Sequence, residues 1–396
     1  MMSTFGEMFD VDPKIRIAKN SEVPFIEMAD IEPWTRTVGS KRRKKFSGGS
    51  KFLDGDVLVA RITPSLENGK TSIYRAIQSD KQAPACGSTE FIVVRGIAGR
   101  SLSEFAYYLL RTVDLRSHLI ANMNGSSGRQ RVEANALRDY VIDLPPLDEQ
   151  QRIVGLLGTL DDKIESNQTV VTRAEQLIDE IAEQKAIDLP TVALSEVCSL
   201  SKSTWKPETS PDQTVQLFSL PAFDEGATPE QAAVASIKSN KTLMDRPGVL
   251  VSRLNPRFSR MWWVEIDATP VSVCSPEFAY LTAGDMHGLA CTWLAVRSPE
   301  FRGEIVDRVT GTSGSHQRVR PADLMTIGVP DYRSLAEHTQ MAVLTLLHLV
   351  SARRQQSVVL AELRDALLPE LMSGRMRVDE AGCLVSEALN EEVADV

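Results

Sequence analysis

Residue types that could carry chemistry are present, but the spacings that catalysis requires are not. Asn68-Gly69-Lys70-Thr71 ends like a phosphate-cradling loop, yet Pro64 stands where that loop needs its first glycine. A proline there has no N–H to offer a phosphate. Asp143-Leu144-Pro145-Pro146-Leu147 approaches the Asp/Asn-Pro-Pro-aromatic motif of amino-methyltransferases, but carries an inserted leucine and lacks the aromatic. There is no GxGxxG after a strand, no HExxH and no GxSxG. His118, His287, His316, His338 and His348 show no metal-ligand spacing, and the five cysteines form no CxxC pair. The cysteine pattern argues against zinc and against a secreted disulfide framework, and places the chain in a reduced cytoplasm.

What remains is binding chemistry. Lys41-Arg42-Arg43-Lys44-Lys45 is a basic run suited to phosphate contact, or to a solvated loop. Gly125-Ser126-Ser127-Gly128, followed by Arg129, Gln130 and Arg131, combines glycines for close backbone approach with hydroxyl, amide and guanidinium groups. Arginine pairs with guanine and glutamine with adenine in the major groove, while serine and backbone N–H groups suit phosphates. The same set returns as Gly311-Thr312-Ser313-Gly314 with Ser315, Gln317, Arg318 and Arg320. Lys70, Arg253, Arg257 and Arg260 complete the candidate DNA contacts, whereas Arg61 reads as a structural strand residue.

These loops sit in a longer repetition. Asp54-Gly55-Asp56-Val57-Leu58-Val59-Ala60-Arg61-Ile62-Thr63-Pro64 returns 192 residues later as Arg246-Pro247-Gly248-Val249-Leu250-Val251-Ser252-Arg253-Leu254-Asn255-Pro256. Thr4-Phe5-Gly6-Glu7 aligns with Ala193-Leu194-Ser195-Glu196, Phe25 with Leu217, Cys86 with Cys274, Glu90-Phe91 with Glu277-Phe278, and Tyr108-Leu109 with Trp293-Leu294. A solenoid repeats every 20–50 residues or so, so this is a duplicated domain. Each copy reads as mixed α and β. Val57–Ile62, Glu90–Val94 and Val249–Val251 are buried strands, Ser103 caps a helix running to Leu119, and Val141–Leu144 and Ile327–Val329 are short final strands.

A helical pattern follows each copy. Ile153, Leu157, Leu160, Ile164, Asn167, Val171, Ala174, Ile178 and Ile181 form a heptad seam. About 40 helical residues span roughly 60 Å, more than a domain core needs, so the seam requires a partner helix. Leu346, Leu349, Arg353, Gln356, Leu360, Leu363 and Leu367 supply one. Polar Asn167, Arg353 and Gln356 fall in mid-seam, where they fix register or lie in a frayed stretch. The expected fold class is α+β, with two similar mixed α/β domains separated by two long helices in an antiparallel coiled coil. The expected boundaries are 1–147, helical spacer 148–188, 189–330, distal spacer 331–378 and acidic tail 379–396.

The net charge of −9 opposes nucleic-acid binding only until it is divided. Residues 1–147 carry 21 basic and 17 acidic side chains, a net of +4, while 148–188 and the tail each hold −6. Local field governs polyanion binding more than total charge. No apolar run reaches 18 residues, so no membrane span is expected.

The order of these parts resembles the specificity subunit of type I restriction–modification systems. Four stretches carry the likeness: Asp54–Pro64 with Leu66–Lys70, Gly125–Val132, Leu144–Ile153 with Leu160–Ile164, and Leu367–Gly374. The resemblance implies that two target-recognition domains each read one half of an asymmetric, interrupted double-stranded DNA site. It implies helices that space the domains and bind two methyltransferase subunits, with or without restriction–motor subunits. Such a chain is not itself an enzyme and holds no cofactor, the partners using S-adenosylmethionine, ATP and magnesium. Two features depart from the pattern: Glu337-His338-Thr339-Gln340 at the second helical start, and Trp262-Trp263 where the first copy has Glu-Asn-Gly-Lys. A coiled-coil adaptor between two protein-binding domains and an enzyme with an unrecognised site are the alternatives. Salt-dependent, sequence-selective DNA binding separates the first from the main reading, and turnover without partners identifies the second.

Overall fold

The computed structural model describes residues 2–126, 128–207, 213–266, 269–309 and 317–390. The chain divides into two compact units, residues 1–163 with 360–396, and residues 164–359.

In the first unit, Val57–Ala60 is buried at all four positions, because both its faces are covered. It lies at the centre of a five-stranded sheet in the order Phe9–Val11, Phe91–Gly96, Val57–Ala60, Thr71–Tyr74, Thr37–Val38. One face packs on a second sheet, ordered Arg42–Lys45, Glu22–Ile26, Ala85–Gly87, Ser50–Phe52. Leu58, Tyr74 and Val93 meet Ile26 and Phe52 between them. The helix Ser103–Arg111 packs against strands Thr71–Tyr74 and Phe91–Gly96.

The second unit repeats the plan. Ser199–Leu200, Phe278–Thr282, Gly248–Ser252 and Met261–Val264 form the inner sheet. Alternation along the last strand sends Trp262 toward Phe218 and Cys274, and Trp263 toward the helix Met286–Arg297. In both units a cysteine strand pairs parallel with an aromatic strand, Phe25 opposite Cys86 and Phe218 opposite Cys274. That register moves the counterpart of Phe25 one residue from the sequence alignment, from Leu217 to Phe218. The four-residue helices Phe5–Met8 and Leu194–Val197 also correspond, Glu7 accepting from the Thr4 N–H and Glu196 from the Ala193 N–H. Each module closes on itself by pairing its first strand with its last: Ser3–Thr4 with Val141–Ile142, and Thr191–Ala193 with Gly328–Pro330.

Two local expectations are corrected. The helix expected from Ser103 to Leu119 is two helices, Ser103–Arg111 and Val113–Ala121, broken where Thr112 is extended (φ −61°, ψ 145°). The Ser103 hydroxyl does not cap; it accepts from the Gly96 N–H at 3.0 Å. The same break recurs at Ser298 (φ −62°, ψ 149°), between Met286–Arg297 and Pro299–Asp307.

Two long helices, Leu147–Ala186 and Glu337–Met372, follow the modules. In the second unit they run antiparallel. Asn167 Nδ2 donates to Gln356 Oε1 at 2.6 Å with both side chains buried, and Val171 and Ala174 pack on Val350. In the first unit the buried pair Asp161–Arg364 joins them at 2.7 Å, and the Tyr108 hydroxyl donates to the same carboxylate at 2.7 Å. Burial alone would lower the Arg364 pKa, but Asp365 and Asp161 together hold it above the ordinary arginine value. Burial and Asp161 both push the Tyr108 phenol up. The distal seam differs from the expected one. Val343, Leu347 and Val350 are buried where Leu346 and Leu349 are only partly so, and Arg364 is buried beside a half-buried Leu363. The reason is that this helix serves a module core as well as its partner helix: Val343, Leu344 and Leu347 join the large cluster around Trp293 and Tyr332. The acidic stretch begins as a helix, Val378–Asn390, with Arg152 paired to Asp379.

Candidate nucleic-acid interface

The residues that follow the two Gly/Ser stretches are held on one scaffold. In the first module the chain leaving Val57–Ala60 continues beside Arg131-Val132. Ile62 bridges Arg131, the Thr63 N–H donates to Gln130 O at 3.0 Å, and the Val132 N–H donates to Arg61 O at 2.9 Å. In the second, Leu254 bridges Arg318, the Asn255 N–H donates to Gln317 O at 2.8 Å, and the Val319 N–H donates to Arg253 O at 3.0 Å. Burial follows suit: Gln130 and Gln317 are half-buried, Arg131 and Arg318 exposed, Val132 and Val319 buried. The hairpin is turned by Gly125 and Gly128, at φ +130° and +77°, a region that side chains disfavour.

Each arginine is held by a glutamate that the sequence aligned but did not single out as a site residue. Arg131 Nε donates to both Glu90 oxygens at 3.0 and 2.9 Å, and its Nη2 donates to Oε1 at 2.7 Å. Arg318 Nε and Nη2 donate to Glu277 at 3.1 and 2.6 Å. Hydrogen bonding to Glu90 raises the Arg131 pKa above its ordinary value. The glutamates are fixed in turn, Glu90 O accepting from the Arg61 N–H at 3.0 Å and Glu277 O from the Arg253 N–H at 2.8 Å.

The remaining candidates fall into distinct settings. Lys41 is exposed, and Arg42–Lys45 is an exposed edge strand rather than a loop. Arg42 pairs with Asp30, Arg43 with Asp80 and Lys44 with Glu27, leaving Lys45 exposed at the strand's end. Charged edge strands also prevent edge-to-edge association. The topological counterpart in the second module is Glu230–Ala233, so a basic edge is not part of the shared plan. Lys70 donates to Met28 O at 3.1 Å. Arg253 is half-buried and donates to Pro276 O at 2.8 Å, and its Nε and Asn255 Oδ1 are buried without a hydrogen-bond partner. Arg260 pairs with Asp224 at 2.7 Å, and Arg257 lies 4.9 Å from the exposed Phe258 ring. Arg129 and Arg320 are exposed. Ser127, Ser313 and Ser315 lie outside the described residues. Sequence reasoning also missed an open cleft of about 520 Å³ beside Glu90, lined by Lys14, Lys51, Arg61 and Thr89. Lys51 had a weak signal, the glycine turn before it; Lys14 had none.

Part of the chain is similar to known proteins. Residues 1–176 match the family model described as the type I restriction modification DNA specificity domain. The match covers less than half of the chain, and this stretch is similar to that family. The chain is 30% identical over 162 residues to the type I restriction enzyme EcoEI specificity subunit of Escherichia coli, covering 40% of this chain and 27% of that protein. The chain is 27% identical over 188 residues to the EcoAI specificity subunit of Escherichia coli, covering 45% of this chain and 31% of that protein. The chain thus spans about a third of the length of these relatives or less. The fold of the whole chain is similar to the type I restriction–modification S subunit from M. genitalium, with a TM-score of 0.51 at 15% identity over 94% of this chain and 95% of that one. The second module, beyond residues 1–176, repeats the first module's order over four strands of each sheet and its glutamate-held arginine.

Proposed function

We propose that this chain is the DNA sequence-specificity subunit of a type I restriction–modification complex. Each module reads one half of a bipartite, asymmetric double-stranded site. The long helices set the spacing and dock two methyltransferase subunits, with or without restriction–motor subunits. The chain catalyses nothing itself; S-adenosylmethionine, ATP and magnesium act in the partners, and the assembly works in the cytoplasm. The observation that supports this best is the duplicated loop, with the same strand bridge and the same Arg–Glu clamp in both modules. A two-part ligand accounts for two equivalent exposed arginines on otherwise different surfaces. Among the described residues no group of His, Cys, Asp and Glu is arranged to hold a metal ion, and no helix is long and apolar enough to cross a membrane.

The test is the methylome of cells expressing the neighbouring methyltransferase subunit with and without this chain. The expected result is a methylated, interrupted, asymmetric sequence that appears only with the chain. Unchanged methylation, with both proteins confirmed present, refutes the proposal.

A further inference from the structure

The repeated clamp has consequences beyond a loop that grips DNA. Glu277 lies 187 residues after Glu90, and Arg318 lies 187 after Arg131. The surroundings have diverged between the modules: the basic strand Arg42–Lys45 gives way to Glu230–Ala233, and buried Leu66 to exposed Phe258. Within that divergence the pair keeps its chemistry, its edge-on geometry and its backbone anchoring.

A carboxylate beside a DNA-facing arginine is costly if the arginine's task is to neutralise phosphate. Phosphate affinity comes from counterion release, roughly one unit of salt slope per phosphate neutralised, and a neutral pair contributes little of it. Orientation is what such a carboxylate supplies. It takes the Nε and one Nη2 hydrogen of Arg131, which leaves the end of the guanidinium, with one Nη1 and the second Nη2 hydrogen, turned from the carboxylate. Nη1 also leans toward Arg129 O at 3.4 Å, which keeps the plane in the loop. That end presents two parallel donors, the pattern that addresses O6 and N7 of guanine. Exposure agrees: the arginines are 43% and 51% exposed against 22% and 28% for their glutamates, so the acid is the inner partner and the base the outer one.

We propose that Glu90 and Glu277 are specificity-positioning residues, each aiming one arginine at a base edge, Arg131 in one half-site and Arg318 in the other, with guanine as the base read. This rests on the DNA-specificity reading above. The rigid support fits the role, because the glutamate and the two residues flanking the arginine of each pair are tied by backbone hydrogen bonds to the same strand extension, Arg61–Thr63 or Arg253–Asn255.

The experiment is selection from randomised duplex DNA by the full chain assembled with its methyltransferase subunits, comparing wild type with Glu90→Gln, Arg131→Lys and Glu277→Gln, at several salt concentrations. Glu90→Gln is expected to lower the preference for one G·C pair in one half-site by roughly tenfold, the order of one bidentate base contact. It should also steepen the salt dependence of non-specific binding by about one unit, since it frees a positive charge. Arg131→Lys should lose preference at that same base pair, and Glu277→Gln should act only in the other half-site. A merely structural glutamate would weaken every position of its half-site together and leave the salt slope unchanged or shallower, which overturns the proposal. So does an unaltered preference, or Glu90→Gln and Arg131→Lys acting at different base pairs while wild type still selects a bipartite site. A wild type that selects no sequence overturns the specificity reading itself, and this inference with it.

Discussion

Asp161 is the position where one substitution should cost most. Its carboxylate is 4% exposed, accepts from Arg364 at 2.7 Å and from the Tyr108 hydroxyl at 2.7 Å, and lies in the first unit where a module helix meets the long helices. Asp161→Ala leaves a guanidinium that is 7% exposed without its buried partner. Breaking a buried pair from one side costs about 3–5 kcal/mol. Arg364 keeps Asp365 at 2.8 Å, and that residue is 56% exposed, which favours the lower end at about 3 kcal/mol. The orphaned Tyr108 hydroxyl adds about 1 kcal/mol. A total of about 4 kcal/mol corresponds to roughly three orders of magnitude in an opening equilibrium at 1.36 kcal/mol per decade. Hydrogen exchange of the intact chain, followed by mass spectrometry over residues 147–163, reads this directly. Replacing both partners, Asp161→Leu with Arg364→Met, should restore protection to within about tenfold, because apolar groups of similar size escape the desolvation penalty. The reasoning fails if Asp161→Ala accelerates exchange less than tenfold, or if the double variant is as unprotected as the single.

Four further outcomes are expected. Asn167→Leu should lower stability by about 1 kcal/mol in urea titration by removing a donor from Gln356, and adding Gln356→Leu should recover that loss while loosening helix register. Gly69→Ala should destabilise the first unit by about 1–2 kcal/mol and shift tryptophan fluorescence, since Gly69 has φ +73° and a new Cβ would lie 2.6 Å from the Trp34 ring. Replacing Lys41 and Lys45 with alanine should reduce the log–log salt slope of DNA binding by about two units, and a slope that does not move would leave the strand a protected sheet edge. Seven residues inserted into each long helix add about 10 Å. The gap in the methylated site should then grow by about three base pairs at 3.4 Å each; an unchanged gap removes the spacing role.

Much of the fold is legible in the sequence. The strand repeat survives as two matching sheets, and the heptad positions Leu157, Leu160, Asn167, Val171 and Ile178 are buried as their spacing demands. Local periodicity is the reason, because one face of a helix or strand declares itself within a few residues. What was not legible depended on partners distant in sequence. Arg42–Lys45 reads as a loop until Glu22–Ile26 is seen to pair with it. Val350 rather than Leu349 packs on Val171 and Ala174, a face set by the partner helix and not by local spacing. Glu90 and Glu277 were aligned as repeat positions, yet nothing local marks a glutamate at a strand's start as the partner of an arginine 41 residues on.

The closing strand pairs carry one last implication. Because Ser3–Thr4 lies against Val141–Ile142, and Thr191–Ala193 against Gly328–Pro330, each module ends where it begins. Such a unit is a cassette, able to be excised and replaced without drawing a strand out of its inner sheets. On the function proposed above, recombination near those four segments would exchange one module for another while the helices stay as they were.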